Sequence, residues 1–191
     1  MLERHLESWW PHLKEVDFSS IIKRIDEDEK KYGKLFPSKK NIFRAFRATP
    51  YENTKLIILG QDPYPSSQAM GIAFGVEDVP IPRSLNYIHR ELSRSGFPIP
   101  ALDFKEWTDV GILMLNAALT NCGEIGQHLE LWKHFTQKVL EVAPTKKIIM
   151  MGKVAQSFGE GIHVPHPSSE FYNKGFIGSN AFDNDYFRNI W

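Results

Sequence analysis

The sequence predicts an α/β fold built on a four-stranded, mainly parallel sheet, and three observations carry that prediction. Apolar runs at 56–59 (LIIL), 111–115 (GILML) and 148–151 (IIMM) are too short for helices and read as strands buried on both faces. Amphipathic patterns lie between them, with Leu85, Ile88 and Leu92 after the first run and Leu131, Trp132, Phe135 and Val139 after the second. Strand and helix therefore alternate, which a parallel sheet with right-handed crossovers satisfies. Finally, these runs and a brief fourth one, Ile162-His163-Val164, each lead into a polar group: Asp62, Asn116, Lys153 and His166.

Taken in order, the N-terminal part reads as two helices. Leu2, Leu6, Trp9, Trp10 and Leu13 recur at helical spacing, and Asp17 can cap a second helix whose apolar stripe is Phe18, Ile21, Ile22 and Ile25. Both stripes, tryptophans included, are assigned to packing. The stretch 35–50, LFPSKKNIFRAFRATP, mixes basic and aromatic residues. That suits nucleic-acid contact, and equally a solvated face with Ile42, Phe43 and Phe46 turned inward. The first strand opens into Gln61-Asp62-Pro63-Tyr64-Pro65. The prolines push Asp62 and Tyr64 toward extended backbone, so a carboxylate and a phenol are held stiffly at the carboxyl end of a buried strand, where open α/β sheets bind ligands.

Ser84 is the expected N-cap of the next helix, which Gly96 closes. A proline-serine turn can also present N–H groups to a phosphate, although composition alone favours capping. The second strand delivers Asn116, whose amide offers a base edge both a donor and an acceptor; on its own, an Asn at a strand end is more often a turn residue. A short helix at 154–158 follows Lys153, and Pro165-His166-Pro167 then fixes an imidazole in a stiff turn. Phe182, Tyr186, Phe187 and Trp191 are expected to pack the tail down.

Composition bounds the rest. With 191 residues, 42% of them hydrophobic and 24% charged, the chain suits one domain spanning 1–191. It has neither an apolar run of about eighteen residues nor a basic-then-apolar leader. The expectation is a soluble, intracellular monomer without membrane contact, cytoplasmic if the source is bacterial or phage and in the host cell if viral. The single Cys122, read as small and half-buried, excludes an internal disulfide and a four-cysteine zinc or iron–sulfur site. The formal net charge of zero weakens a DNA-binding reading without removing it, since acidic charge is concentrated at Asp26-Glu27-Asp28-Glu29.

In a parallel sheet the four polar groups converge on one edge. A carboxylate, an amide and an imidazole around an aromatic floor can serve several hydrolytic reactions. The residues by themselves stop at a base-like or sugar-like ligand attacked by water.

GQDPY at 60–64 after a buried strand, QAMGIAF at 68–74, LMLNAALT at 113–120 and HPSSEFYNKGFIG at 166–178, with Ala45-Phe46 and Thr49-Pro50 ahead of them, resemble the family 1 uracil-DNA glycosylases over nearly the whole chain. The resemblance implies a three-layer α/β/α arrangement around the sheet. It implies hydrolysis of the N-glycosidic bond of a deoxyuridine flipped out of single- or double-stranded DNA, leaving free uracil and an abasic site. Asp62 and His166 would be catalytic, Asp62 positioning water and stabilising positive charge on the sugar, His166 and the Gln61 backbone bonding the uracil oxygen. Phe74 would stack on the base, Asn116 would select uracil over cytosine, and Tyr64 would exclude the thymine methyl. Arg83, Ser84, Lys153, Ser168, Ser169, Glu170 and Phe171 would face the DNA. No metal or organic cofactor is implied, and an inhibitor protein or a replication partner is a further expected partner.

The chain departs from the family pattern in two places. Pro65 stands where members usually carry a histidine, in a loop one residue shorter. Ser169 and Glu170 stand where members have a proline and then a leucine that enters the duplex. A carboxylate is a poor wedge beside phosphates, so Phe171 is expected to take over insertion, or the enzyme to favour single strands. The competing expectation is a glycosylase-fold DNA-binding scaffold or polymerase accessory subunit with weak or no cleavage. Asp62, Tyr64, Phe74, Asn116 and His166 together argue for cleavage, since a scaffold has no use for all five. A glycosylase for another damaged base is disfavoured by Tyr64 with Asn116.

Overall fold

The computed structural model describes residues 2–190, so the expected packing of Trp191 lies outside the described residues. Strands β1 (Leu56–Gly60), β2 (Ile112–Asn116), β3 (Ile148–Met151) and β4 (Ile162–Val164) form one sheet in the order β2-β1-β3-β4. All the pairings are parallel, so the sheet is entirely rather than mainly parallel. Every residue of β1, β2 and β3 is buried, as unbroken apolar runs require, whereas β4 at the edge exposes His163.

Helices flank the sheet, the longest being Phe18–Tyr32, Arg83–Arg94 and Leu129–Val142. Two aromatic clusters fasten them. One joins Phe18, Phe43, Phe46, Trp132 and Phe135, with neighbouring ring centroids 5.2 to 6.3 Å apart. The other joins Phe97, Phe104, Trp107, Phe182 and Phe187, so Phe182 and Phe187 do pack the tail down. Edge-to-face pairs of this kind add about 0.5–1.5 kcal/mol each beyond the area they bury.

Several sequence expectations are corrected. The first helix is broken into Glu3–Leu6, a 3-10 turn Glu7–Trp9, and Trp10–Leu13. Pro11 explains the last break, because a ring without an N–H cannot continue a helix already under way. Trp9 packs as expected and donates from Nε1 to the Thr49 carbonyl at 2.9 Å. Asp17 caps the Phe18–Tyr32 helix through the Ser20 N–H, but Ile22 is 42% exposed. The buried stripe is Phe18, Ile21, Ile25 and Asp28, a narrow seam at spacings of three and four.

Ser84 is not a cap: the helix starts at Arg83 with Pro82 as N-cap, and Ser84 is buried within the first turn. The helix after β3 is Lys153–Gln156 rather than 154–158. Gly111 lies outside β2, in a turn at φ +101° where a Cβ would meet the Asn53 carbonyl oxygen. Cys122 is fully rather than half buried.

Replacing Phe135, fully buried at the centre of the first cluster, by alanine should cost about 3–5 kcal/mol. Ile22→Ala, by contrast, should stay within about 0.5 kcal/mol of wild type. Urea denaturation of both variants measures this.

Candidate active site

The register of the sheet assembles the site. Gly60 pairs with Asn116, and Met151 with Val164, so the segments leaving β1, β2 and β4 start side by side along one edge. A cavity of about 300 Å³ opens there, walled by Gln61, Asp62, Tyr64, Phe74, Asn116 and His166, with Pro65 and Ser168 also on its lining. That is at the small end of ligand pockets, roughly 300–1,000 Å³, and suits one ring rather than a dinucleotide. All six residues assigned to catalysis or base binding meet in this one space.

Glycines let them approach. A Cβ on Gly60 would lie 2.8 Å from Asn116 Oδ1 and 3.1 Å from the Phe74 ring, so a side chain there would fill the floor. Gly152, at φ +94°, plays the same part beneath His166, whose Cβ would be 2.9 Å away. Phe74 itself sits at φ +63°, a left-handed conformation that is strained for an aromatic residue. Its ring centroid is 5.8 Å from that of His166, making two adjacent walls.

Asp62 Oδ2 accepts from the Gly126 N–H at 2.7 Å. Burial pushes its carboxyl above the ordinary aspartate range, partly offset by the Gly126 N–H and the Gln61 side chain. The 117–128 loop that supplies Gly126 is itself tied to the Asp62 loop. Ala117 and Ala118 donate to the Gly60 and Gln61 carbonyls, and buried Asn121 donates from Nδ2 to the Pro63 carbonyl at 2.7 Å.

Burial lowers the His166 pKa, which favours the neutral ring. Its Nδ1 accepts from the Ser168 N–H at 3.1 Å, which assigns the proton of the neutral imidazole to Nε2. The Tyr64 hydroxyl is 2.7 Å from Ser84 Oγ and 3.2 Å from the Phe74 carbonyl oxygen, to which it donates. Burial pushes this phenol up to about 12, so it stays protonated.

The residues expected to face DNA are dispersed differently. Ser168 and Ser84 both line the cavity, Ser84 with its hydroxyl paired to that of Tyr64. Lys153 begins the helix after β3 but is exposed and off the cavity wall, because that helix turns it outward. Arg83 stands over the ring of Phe171, 4.5 Å from its centroid. Glu170 turns back to accept from the Ile177 N–H at 3.0 Å, and Ser169 Oγ is buried without a partner among the described residues. Ile125, 70% exposed on the cavity lip, and Gly126 were missed by sequence reasoning. The GEIG stretch signals a turn, but nothing in it says that its N–H will aim at a carboxylate.

A family model described as the uracil DNA glycosylase superfamily matches residues 46–191. The chain belongs to this superfamily. A uracil-DNA glycosylase of Leuconostoc mesenteroides is 39% identical over 164 residues, 78% of this chain and 74% of that protein. One of Coxiella burnetii is 37% identical over 183 residues, 86% of this chain and 81% of that protein. Among solved structures, a mimivirus UNG variant in complex with UGI superposes with a TM-score of 0.78 at 24% identity, over 88% of this chain and 73% of that chain, which supports the fold.

The sign of the Asp62 shift makes a stability prediction. A carboxyl easier to protonate in the folded state contributes stability below the unfolded value, about pH 4, and loses it as pH rises through the raised folded value. Asp62→Asn keeps an acceptor for Gly126 without the buried charge. Its melting temperature at pH 8 should equal or exceed that of wild type, with the difference shrinking as pH falls toward 4.

Proposed function

We propose that this cavity excises uracil from DNA, hydrolysing the bond between base and deoxyribose to leave an abasic site. The observation that carries the reading is the meeting of Asp62, Phe74, Asn116 and His166 in one cavity of about 300 Å³ at the strand ends. A base can reach such a space only after leaving the stack.

In this reading the Phe74 ring covers one face of the uracil. The Asn116 side chain, which has no hydrogen-bond partner recorded among the described residues, accepts from uracil N3–H and donates to O4; cytosine interchanges donor and acceptor along that edge. The Tyr64 ring stands where thymine carries its methyl group, and its two hydroxyl contacts keep it from retreating. Asp62 orients the attacking water and stabilises the positive charge that develops on the sugar. His166, neutral and bearing its proton on Nε2, donates to the oxygen that gains negative charge as the base departs, and the Gln61 backbone adds a second donor. Pro65 has no N–H to offer that water, so Asp62, fixed by Gly126, carries its positioning.

The substrate is uracil-containing DNA. An inhibitor protein, of the kind found with the mimivirus neighbour, is a candidate partner.

An oligonucleotide with a single uracil, incubated with the protein and probed for alkali-labile sites, tests the reading. Wild type should cleave it. Asp62→Asn should be slower by about 10²–10⁴-fold, and His166→Ala by about 10²–10³-fold. Tight binding without cleavage by wild type would instead favour a DNA-binding scaffold.

Ser84→Ala removes the shorter of the Tyr64 hydroxyl contacts. It should raise thymine excision relative to uracil excision in matched oligonucleotides, while uracil turnover changes little; an unchanged ratio would remove Ser84 from thymine exclusion.

A further inference from the structure

We propose that Phe171 and Tyr172 form a stacking platform for the nucleobase next to the flipped uridine on the same strand. The proposal rests on the uracil reading above and adds a second base-binding subsite to it.

The pair belongs to the 3-10 turn Pro167–Tyr172, whose N-cap is His166 and whose Ser168 lines the cavity. The platform is therefore continuous with the uracil site through a few residues of backbone. Glu170, the position just before it, is withdrawn from the surface role by its bond to the Ile177 N–H. The next two side chains are left outward, Phe171 53% and Tyr172 69% exposed, which is unusual for adjacent aromatic residues without a task. Asn173, in the left-handed region at φ +53°, then ends the turn.

The rings are ordered by one another and by cations. They meet edge to face, centroids 5.1 Å apart and planes at 86°. The Arg83 guanidinium lies 4.5 Å from the Phe171 centroid, and the Lys174 ammonium 5.5 Å from that of Tyr172. This arrangement selects the occupant. Two exposed cationic side chains lying over the rings match a polyanionic strand carrying flat bases: the cations can turn to the phosphates while bases stack on the aromatic rings, whatever their sequence. A perpendicular pair flanked by two long cationic side chains is also broad. It suits the face of an unstacked base better than insertion between stacked ones, which takes a single thin apolar side chain.

The test compares single-stranded oligonucleotides carrying one uracil between ordinary nucleotides with the same strands in which both neighbours are abasic, and with the first strands annealed to their complements. Phe171→Ala and Tyr172→Ala should each lower kcat/KM on the first by roughly 5- to 100-fold, mainly through KM. The loss should disappear on the second, where no neighbouring base is left to stack. Phe171→Trp should restore the lost rate if the ring acts by stacking. Equal losses on both strands, no loss on either, or a loss confined to duplex DNA would overturn the platform, the last in favour of a wedge. If wild type releases uracil from none of these strands, the reading of the cavity fails instead.

Discussion

The parallel pairing of β1 with β2 on one side and β3 on the other is the constraint on which the rest depends. Parallel strands all deliver their chain to the same edge, and the Gly60–Asn116 register makes two of those exits coincide to the residue. A slip of one residue would turn Asn116 to the opposite face and separate it from Phe74. That register is secured by burial on both faces, since a displaced β1 would have no solvated side to accept its apolar residues. The chemistry is positioned by residues that carry none of it.

Convergence at that edge has costs that the surrounding structure bears. The Asp62 carboxylate is disfavoured by burial, the charged form of His166 likewise, and Phe74 holds a left-handed backbone. Left-handed strain in a non-glycine residue is of order 1–3 kcal/mol and persists only where packing over-determines it. Here the determinants are visible: Ala73 N–H bonds to the Met114 carbonyl of β2, and the Phe74 carbonyl receives the Tyr64 hydroxyl. The 117–128 loop does the same for Asp62, through Asn121 and Gly126. Site and scaffold therefore share hydrogen bonds.

What was legible in the sequence follows from range. The strands were readable because their signal is local, and so were the polar residues that terminate them, which is why the convergence of Asp62, Asn116 and His166 could be foreseen. Ser84 shows where local reasoning fails. Its hydroxyl had a plausible cap to make, but Tyr64, twenty residues earlier, offers a half-buried partner at 2.7 Å that no short-range pattern contains. Gly126 is the same case at longer range, its N–H finding a carboxylate 64 residues away. Lys153 fails differently: the strand-end rule places its Cα at the right edge, while the helix starting there turns the side chain out. Position along a strand is a local property; side-chain direction beyond it is not.

Neutral charge and DNA chemistry are reconciled by where the favourable contacts lie. Counterion release rewards each neutralised phosphate, and a protein with balanced acids and bases forgoes much of that sequence-independent affinity. A cavity that encloses one base takes its binding energy from ring stacking and edge hydrogen bonds, which salt does not screen as it screens exposed charges. The acids of the Phe18–Tyr32 helix do not line it: Asp26 and Glu29 are paired to Lys39, and Asp28 is buried beside Arg24. Among the described residues the cavity lining contains one carboxylate, Asp62, the one that the proposed reaction uses. Total charge is then a poor guide to this interface, because repulsion depends on which charges face the strand.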